Sequence, residues 1–454
     1  MDICEKQTKR NKNVQICCKN RTSVLIFGHK QKQETKGGAI IMSYKETLLQ
    51  PIKIGNRVAQ NRFFIQAMEC NKEDETGNPS EETIQRYCDL AKGGAGLISL
   101  EAITVTRECR ARDNQLTIMP ANEKPLTEFV RRVHEANPET LFIFQLTHSG
   151  EISNPEFSRR VTPNPLPGYG GDLLTEEDVE RIMDSFVTAA EIAYRAGADG
   201  IDMKLSHGYL GCQMIRPHNS RDWKYGGSWE NRSRFAFELI ERIRKAVPDP
   251  NFLVGSKISA WEGFPGGFGT EGPDSPIMDL TEPIKLIQGL EARGANFIIQ
   301  SAGSPSITVG LTQVDKHVPY YAYLHQYWAK EFRKALKPET IVIGSNFSPF
   351  RSGKNDLCAT TPEESNLLNY GAWCIENGVT DMVGLGRQSF ADPYLPKKLA
   401  EGKEDEIKYC LLCDRCLELL IQQSKVGCCV YDKTAHEELV RTRKEKGNLR
   451  VSHT

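Results

Sequence analysis

The stretch DGIDMKLSHGYLGCQMIRPHNSRDWKYGGSWENRSRF, residues 199–235, passes from a short apolar run through a polar, glycine-broken loop into an amphipathic pattern. GIDMKL (200–205) has the composition of a strand, and Lys204, His207 and Tyr209 fall together at its C-terminal end. The C-terminal end of a strand is where α/β enzymes place their chemistry. Beyond the loop, Ser228 is suited to cap a helix over 230–247, with Phe235, Leu239, Ile243 and Val247 as its apolar stripe.

Seven further runs resemble GIDMKL: 63–68, 96–105, 141–146, 252–259, 296–303, 340–347 and 382–388. Helical patterns such as 175–196 separate them, which argues for βα units and a parallel sheet. GFPGGFG (263–269) lacks the strand-to-helix spacing of a nucleotide loop and is expected to be a flexible βα loop.

With 454 residues the chain is long enough for one barrel with extensions. A net charge of −1 gives no reason to expect nucleic acid or an anionic membrane, and no apolar run approaches a membrane span. Fourteen cysteines without a signal peptide suggest a reducing cytoplasm. Residues 1–41 carry nine Lys/Arg against three Asp/Glu without periodicity. They read either as a disordered basic arm or as untranslated sequence before a native start at Met42 in a bacterial gene.

HGYL (207–210) and NSRDWKYGGSWENRSRF (219–235) closely resemble the signature of the old yellow enzyme and 2,4-dienoyl-CoA reductase family, and a weaker likeness extends over about 48–430. The resemblance implies a (β/α)8 TIM barrel over 42–400 that binds FMN. It places Ala67 and Met68 beside the flavin, and Gln145 in QLTHSG on the flavin's pyrimidine edge. Lys257 stands where the family usually has arginine, a cation that favours reduced flavin. Gly344, Ser345, Asn346, Gly386 and Arg387 match the phosphate site between the last two strands. The bland alternatives are a polar strand cap for Gln145, a surface lysine for Lys257, and a glycine turn with a surface arginine for the phosphate residues.

Lys204 and His207 match the family's substrate-oxygen pair, and Tyr209 matches its proton donor. Lys204 replaces the usual imidazole; the plain alternative is a structural lysine paired with Asp202 or Glu101. Glu69 replaces a Thr or Cys that touches the flavin, where a carboxylate repels reduced flavin unless protonated or turned away. Glu151 replaces an arginine common after HSG, so the loop beyond it should differ.

Cys410, Cys413 and Cys416, followed by Cys428 with Cys429 adjacent, lie in a C-terminal segment over 401–454 that ends in a charged tail. The spacing suits a [4Fe–4S] cluster, as in the longer relatives, with zinc or free thiols as alternatives. No dinucleotide fingerprint follows them in this sequence. Electrons then come either from NAD(P)H directly or from a separate electron-donor flavoprotein. The expected activity is reduction of a small-molecule alkene of enone or enoate type. An amine dehydrogenase or N-demethylase on the same fold is the first alternative. A Schiff-base lyase using Lys204 or an electron-transfer subunit comes after it.

Overall fold

The computed structural model describes residues 43–314, 320–353 and 366–449. The arm over 1–41 lies outside them. Eight parallel strands close into a barrel: β1 (Phe63–Ile65), β2 (Leu97–Thr104), β3 (Leu141–Thr147), β4 (Gly200–Leu205), β5 (Leu253–Ser259), β6 (Phe297–Ser301), β7 (Ile341–Gly344) and β8 (Met382–Leu385). They stand round the barrel in chain order, β8 closing on β1. Each of the eight expected runs carries one of them. A helix follows each strand: α1 (Glu81–Lys92), α2 (Glu123–Ala136), α3 (Glu176–Arg195), α4 (Trp229–Ala246), α5 (Thr281–Ala292), α6 (Tyr320–Ala335), α7 (Leu367–Glu376) and α8 (Leu395–Ala400). The fold is the (β/α)8 barrel.

Local signals set the helix starts. Ser228 accepts a hydrogen bond from the Asn231 amide ahead of α4, and Thr175 forms a reciprocal capping box with Asp178 ahead of α3.

The two-residue period of the strands divides the barrel interior into an apolar lower half and a polar upper half. On β3, Leu141 and Ile143 are followed by Gln145; on β7, Ile341 and Ile343 are followed by Ser345 just past the strand. The apolar members form one cluster with Ile52, Ile54 and Ala59 of an antiparallel hairpin. In register, Gln145 stands opposite Asp202 and Lys204 opposite Lys257, so the polar residues share a layer at the C-terminal end.

Gly255 makes room for Phe297 in the lower layer. A Cβ at 255 would lie 2.3 Å from the Phe297 ring, which is fully buried. Gly255→Ala is therefore expected to destabilise the barrel by about 1–3 kcal/mol through overpacking, measured by urea unfolding. An unchanged midpoint would refute this packing argument.

The glycine-rich segment 263–269 is a βα loop as expected, but most of it is buried rather than free, and its Phe268 amide donates to Glu262 at 2.8 Å. After the barrel come α9 (Arg415–Ile421) and α10 (Lys433–Lys446); Leu419, Ala435 and Leu439 of these helices form a small apolar cluster with Val426 of the segment between them. Most of the expected charged tail is thus the helix α10, started by Asp432, whose carboxylate accepts from the Thr434 amide at 2.9 Å. The Val426 amide donates to the Cys70 carbonyl at 2.8 Å, tying this segment to the loop after β1. Among the described residues, no helix is long and apolar enough to cross a membrane.

Candidate active site

The polar upper layer makes the floor of a site. Lys257 Nζ donates to Gln66 Oε1 at 2.8 Å, and Gln66 Nε2 donates to Ser345 Oγ at 2.9 Å. Gln145 Nε2 donates to Asp202 Oδ2 at 2.6 Å, while Asp202 Oδ1 accepts the Lys257 amide at 2.7 Å. Burial lowers the Lys257 ammonium to about 8, with Asp202 opposing the shift and Lys204 adding to it. Gln66 was not singled out from the sequence. Its signal was the period itself, since it lies two residues after the inward Phe64.

Above the floor the chain opens. Ala67, Met68, Glu69, His207, Asn346 and Gly386 are half-buried beside the fully buried ends of their strands. At the ends of β7 and β8, the backbone amides of Ser345, Asn346, Gly386 and Arg387 find no acceptor among the described residues. Such a group of free amides suits an oxyanion. Arg387 is buried and turned outward from this cradle: it donates to Asp414 Oδ1 at 2.6 Å and to the Val314 carbonyl. It is neither a surface arginine nor free in this arrangement.

On β4 and the turn after it, Lys204 and Tyr209 come together around Glu69, with His207 between them in the chain. Tyr209 donates to Glu69 Oε1 at 3.0 Å, and Lys204 Nζ lies 3.8 Å from the same oxygen and 3.3 Å from the centre of the Tyr209 ring. The partner of Lys204 is thus Glu69, not Asp202 or Glu101. Arg112 Nε donates to Glu69 Oε2 at 3.1 Å. Burial raises the Glu69 carboxyl, but Arg112 and Lys204 outweigh burial and hold it below its ordinary value. Burial lowers Lys204 to about 8 against the pull of Glu69. Burial, followed by Glu69, drives the Tyr209 phenol far up. Burial and the nearby lysines push the His207 imidazole well down, so it is neutral. Arg112 sits in a loop 43 residues beyond its partner, and sequence reasoning missed it.

The turn bearing these residues is fixed from below. His207 Nε2 lies 2.7 Å from Ser301 Oγ, and its amide donates to Ser259 Oγ at 3.1 Å. Gly208 has φ +72°, and a Cβ there would come within 2.9 Å of Arg216 Nη2. Arg216 is buried between two carboxylates, at 2.6 Å from Glu151 and 2.7 Å from Glu262. Glu151, the departure noted in the sequence, is therefore half of an internal ion network. His148 and Cys212 are core residues, and burial lowers His148 to about 3.

Arg387, Cys410, Cys413, Cys416, Cys428 and Cys429 line one small cavity. Cys429 shares it with Cys428, so the fourth thiol has two candidates. No group of three His, Cys, Asp or Glu among the described residues is placed to hold a metal ion.

A family profile described as NADH:flavin oxidoreductase / NADH oxidase matches residues 47–299. NADH oxidase of Thermoanaerobacter brockii is 30% identical over 382 residues, covering 82% of this chain and 54% of that protein. Cinnamate reductase of Clostridium sporogenes is 29% identical over 421 residues, covering 87% of this chain and 58% of that one. The chain thus spans a little over half the length of these curated relatives. The old yellow enzyme homologue of Zymomonas mobilis superposes with a TM-score of 0.61 at 20% identity, covering 85% of this chain and 98% of its own, a likeness of fold. With more than half of its residues matched by the profile, the chain belongs to the NADH:flavin oxidoreductase / NADH oxidase family.

Proposed function

We propose that the chain is an FMN-dependent reductase of activated carbon–carbon double bonds. The carrying observation is the gathering of Lys204, His207 and Tyr209 at the end of β4, beside the Lys257–Gln66–Gln145 floor. The donor set fits a flavin. Lys257 supplies a buried cation for the pyrimidine edge, Gln145 and Gln66 supply amides, and Ala67 and Met68 line the rim. The free amides of Ser345, Asn346, Gly386 and Arg387 suit its phosphate, with the Arg387 charge behind them. Bound there, reduced FMN supplies the hydride.

The side chains supply the rest. Lys204 and His207 hold the substrate oxygen, where negative charge builds up. Tyr209 keeps its proton across the physiological range and delivers it to the α-carbon by turning its hydroxyl away from Glu69. The phenolate left behind is stabilised by Lys204 on its ring and by Arg112. Lys204, Lys257 and Arg112 exceed Glu69 and Asp202 by one positive charge at this mouth, which disfavours a protonated amine substrate and weighs against amine oxidation.

The cysteine cavity is the proposed seat of a [4Fe–4S] cluster, its thiols being the soft donors such a cluster takes. Mixing the reduced protein anaerobically with an enone and enoate panel tests the reading. Flavin reoxidation by an activated alkene supports it. Reoxidation by none, with bleaching of the oxidised flavin by tertiary amines, overturns it.

A further inference from the structure

The charges at the barrel mouth are unevenly satisfied. Asp202 is engaged by the Gln145 amide group and the Lys257 backbone. Glu69 is engaged by Arg112 at 3.1 Å and Tyr209 at 3.0 Å. Lys204 is 6% exposed, yet no described residue offers its ammonium an acceptor within hydrogen-bonding distance. Its nearest carboxylate oxygen is the Glu69 atom at 3.8 Å, already held by Tyr209. Arg112 Nη2 is likewise without an acceptor among the described residues. The Tyr209 ring covers one side of the ammonium at 3.3 Å, and the N–H groups that it leaves without a protein acceptor are donors for an oxygen ligand entering the mouth.

Charge decides which oxygen ligand fits. Glu69 and Asp202 offset two of the three cations Lys204, Lys257 and Arg112, which leaves one positive charge at the substrate end. A ketone oxygen accepts hydrogen bonds but leaves that charge in place. A carboxylate cancels it. Reduction of a 2-alkenoate also builds a second negative charge on the carboxylate oxygens, which an ammonium stabilises far more than a neutral imidazole does.

We propose that the activating group of the substrate is a carboxylate, held by the Lys204 ammonium with Arg112 adding to its field, so that the site prefers 2-alkenoates to neutral enones. The inference rests on the reductase reading above and narrows it. Glu69 then acts as counter-ion to Lys204 while the site is empty.

Binding to the oxidised holoprotein tests this without turnover. The probes are 3-phenylpropionate and the methyl ketone of the same shape, 4-phenylbutan-2-one, measured by calorimetry and by perturbation of the flavin spectrum. The carboxylate is expected to bind about ten- to a hundred-fold more tightly, the worth of one charged hydrogen bond. Lys204→Met and Lys204→Gln, each checked for retained flavin, should erase that preference. In the parent protein the preference should be present below about 8 and fall as Lys204 loses its proton above it, with ketone binding unchanged. Equal binding of the two probes, no binding of either, or a preference surviving both substitutions overturns the inference. If neutral enones still reoxidise the reduced flavin, the reductase reading survives that failure. If no alkene does, the reading falls as well.

Discussion

Tyr209→Phe is expected to slow reoxidation of the reduced protein by an activated alkene about a hundred- to ten-thousand-fold, the usual worth of a positioned general acid. FMN content and the rate of flavin reduction should stay close to those of the parent. The split follows from geometry: the phenol touches Glu69 and the face presented to Lys204, and no floor residue bonds to it. Phenylalanine keeps the ring beneath the Lys204 ammonium, and Glu69 keeps Arg112, so the site should retain its shape. A reoxidation rate within about threefold of the parent would remove Tyr209 as proton donor. The neighbouring donor would then be Lys204, and the rate should fall as pH rises through about 8, where its ammonium is lost.

The barrel was legible because its evidence is periodic. Eight runs of inward and outward residues mark eight strands, and polar residues at their ends mark the functional mouth. Placement at that mouth was legible for Gln145, Lys204 and Lys257, since each sits two residues above an inward neighbour on its own strand. Side-chain pairing was not. Glu69 meets Tyr209 across 140 residues and Arg112 across 43, and nothing local specifies either meeting. The same holds for Arg387, whose partner Asp414 lies in the cysteine segment. A strand pattern fixes which way a residue faces. The charge on the opposite wall fixes what it does there, and that depends on loops.

Loop residues also explain why Glu151 departs from the family pattern. Arg216 needs its two carboxylates because a guanidinium 2% exposed is stable only when paired. Glu262 and Glu151 reach it from different βα loops, and Gln213 adds a bond of 2.6 Å to the Gly208 carbonyl. The turn carrying His207 and Tyr209 is thus held by two other loops acting through Arg216 and by Gln213 of the short helix Leu210–Ile215 that follows it. This is how a turn with two successive positive φ angles, +61° at His207 and +72° at Gly208, is kept in place.

Cys416→Ser is expected to abolish iron–sulfur reconstitution. Anaerobically reconstituted parent protein should hold about four irons and four labile sulfides per chain, and the variant should hold close to none. Each iron of a cubane takes one thiolate, so loss of one cysteine leaves an iron without its soft ligand. At the fourth position Cys428 and Cys429 both reach the cavity, so the double variant Cys428→Ser/Cys429→Ser should match Cys416→Ser, while one of its two single variants should keep its iron. The segment should stay folded without the cluster, since Leu419, Val426, Ala435 and Leu439 pack together and Glu418 pairs with Arg443 at 2.6 Å. Unchanged far-ultraviolet circular dichroism would separate loss of metal from loss of structure. Arg387 gives a second signature, because its side chain lines the cysteine cavity while its backbone amide belongs to the cradle. Removing the cluster's negative charge frees Arg387 from one of its counter-charges, so FMN retention should change in the same variants that lose iron. A reconstituted protein that takes up one zinc and no sulfide would overturn the cluster assignment, since thiolates around zinc must converge on one point at about 2.3 Å.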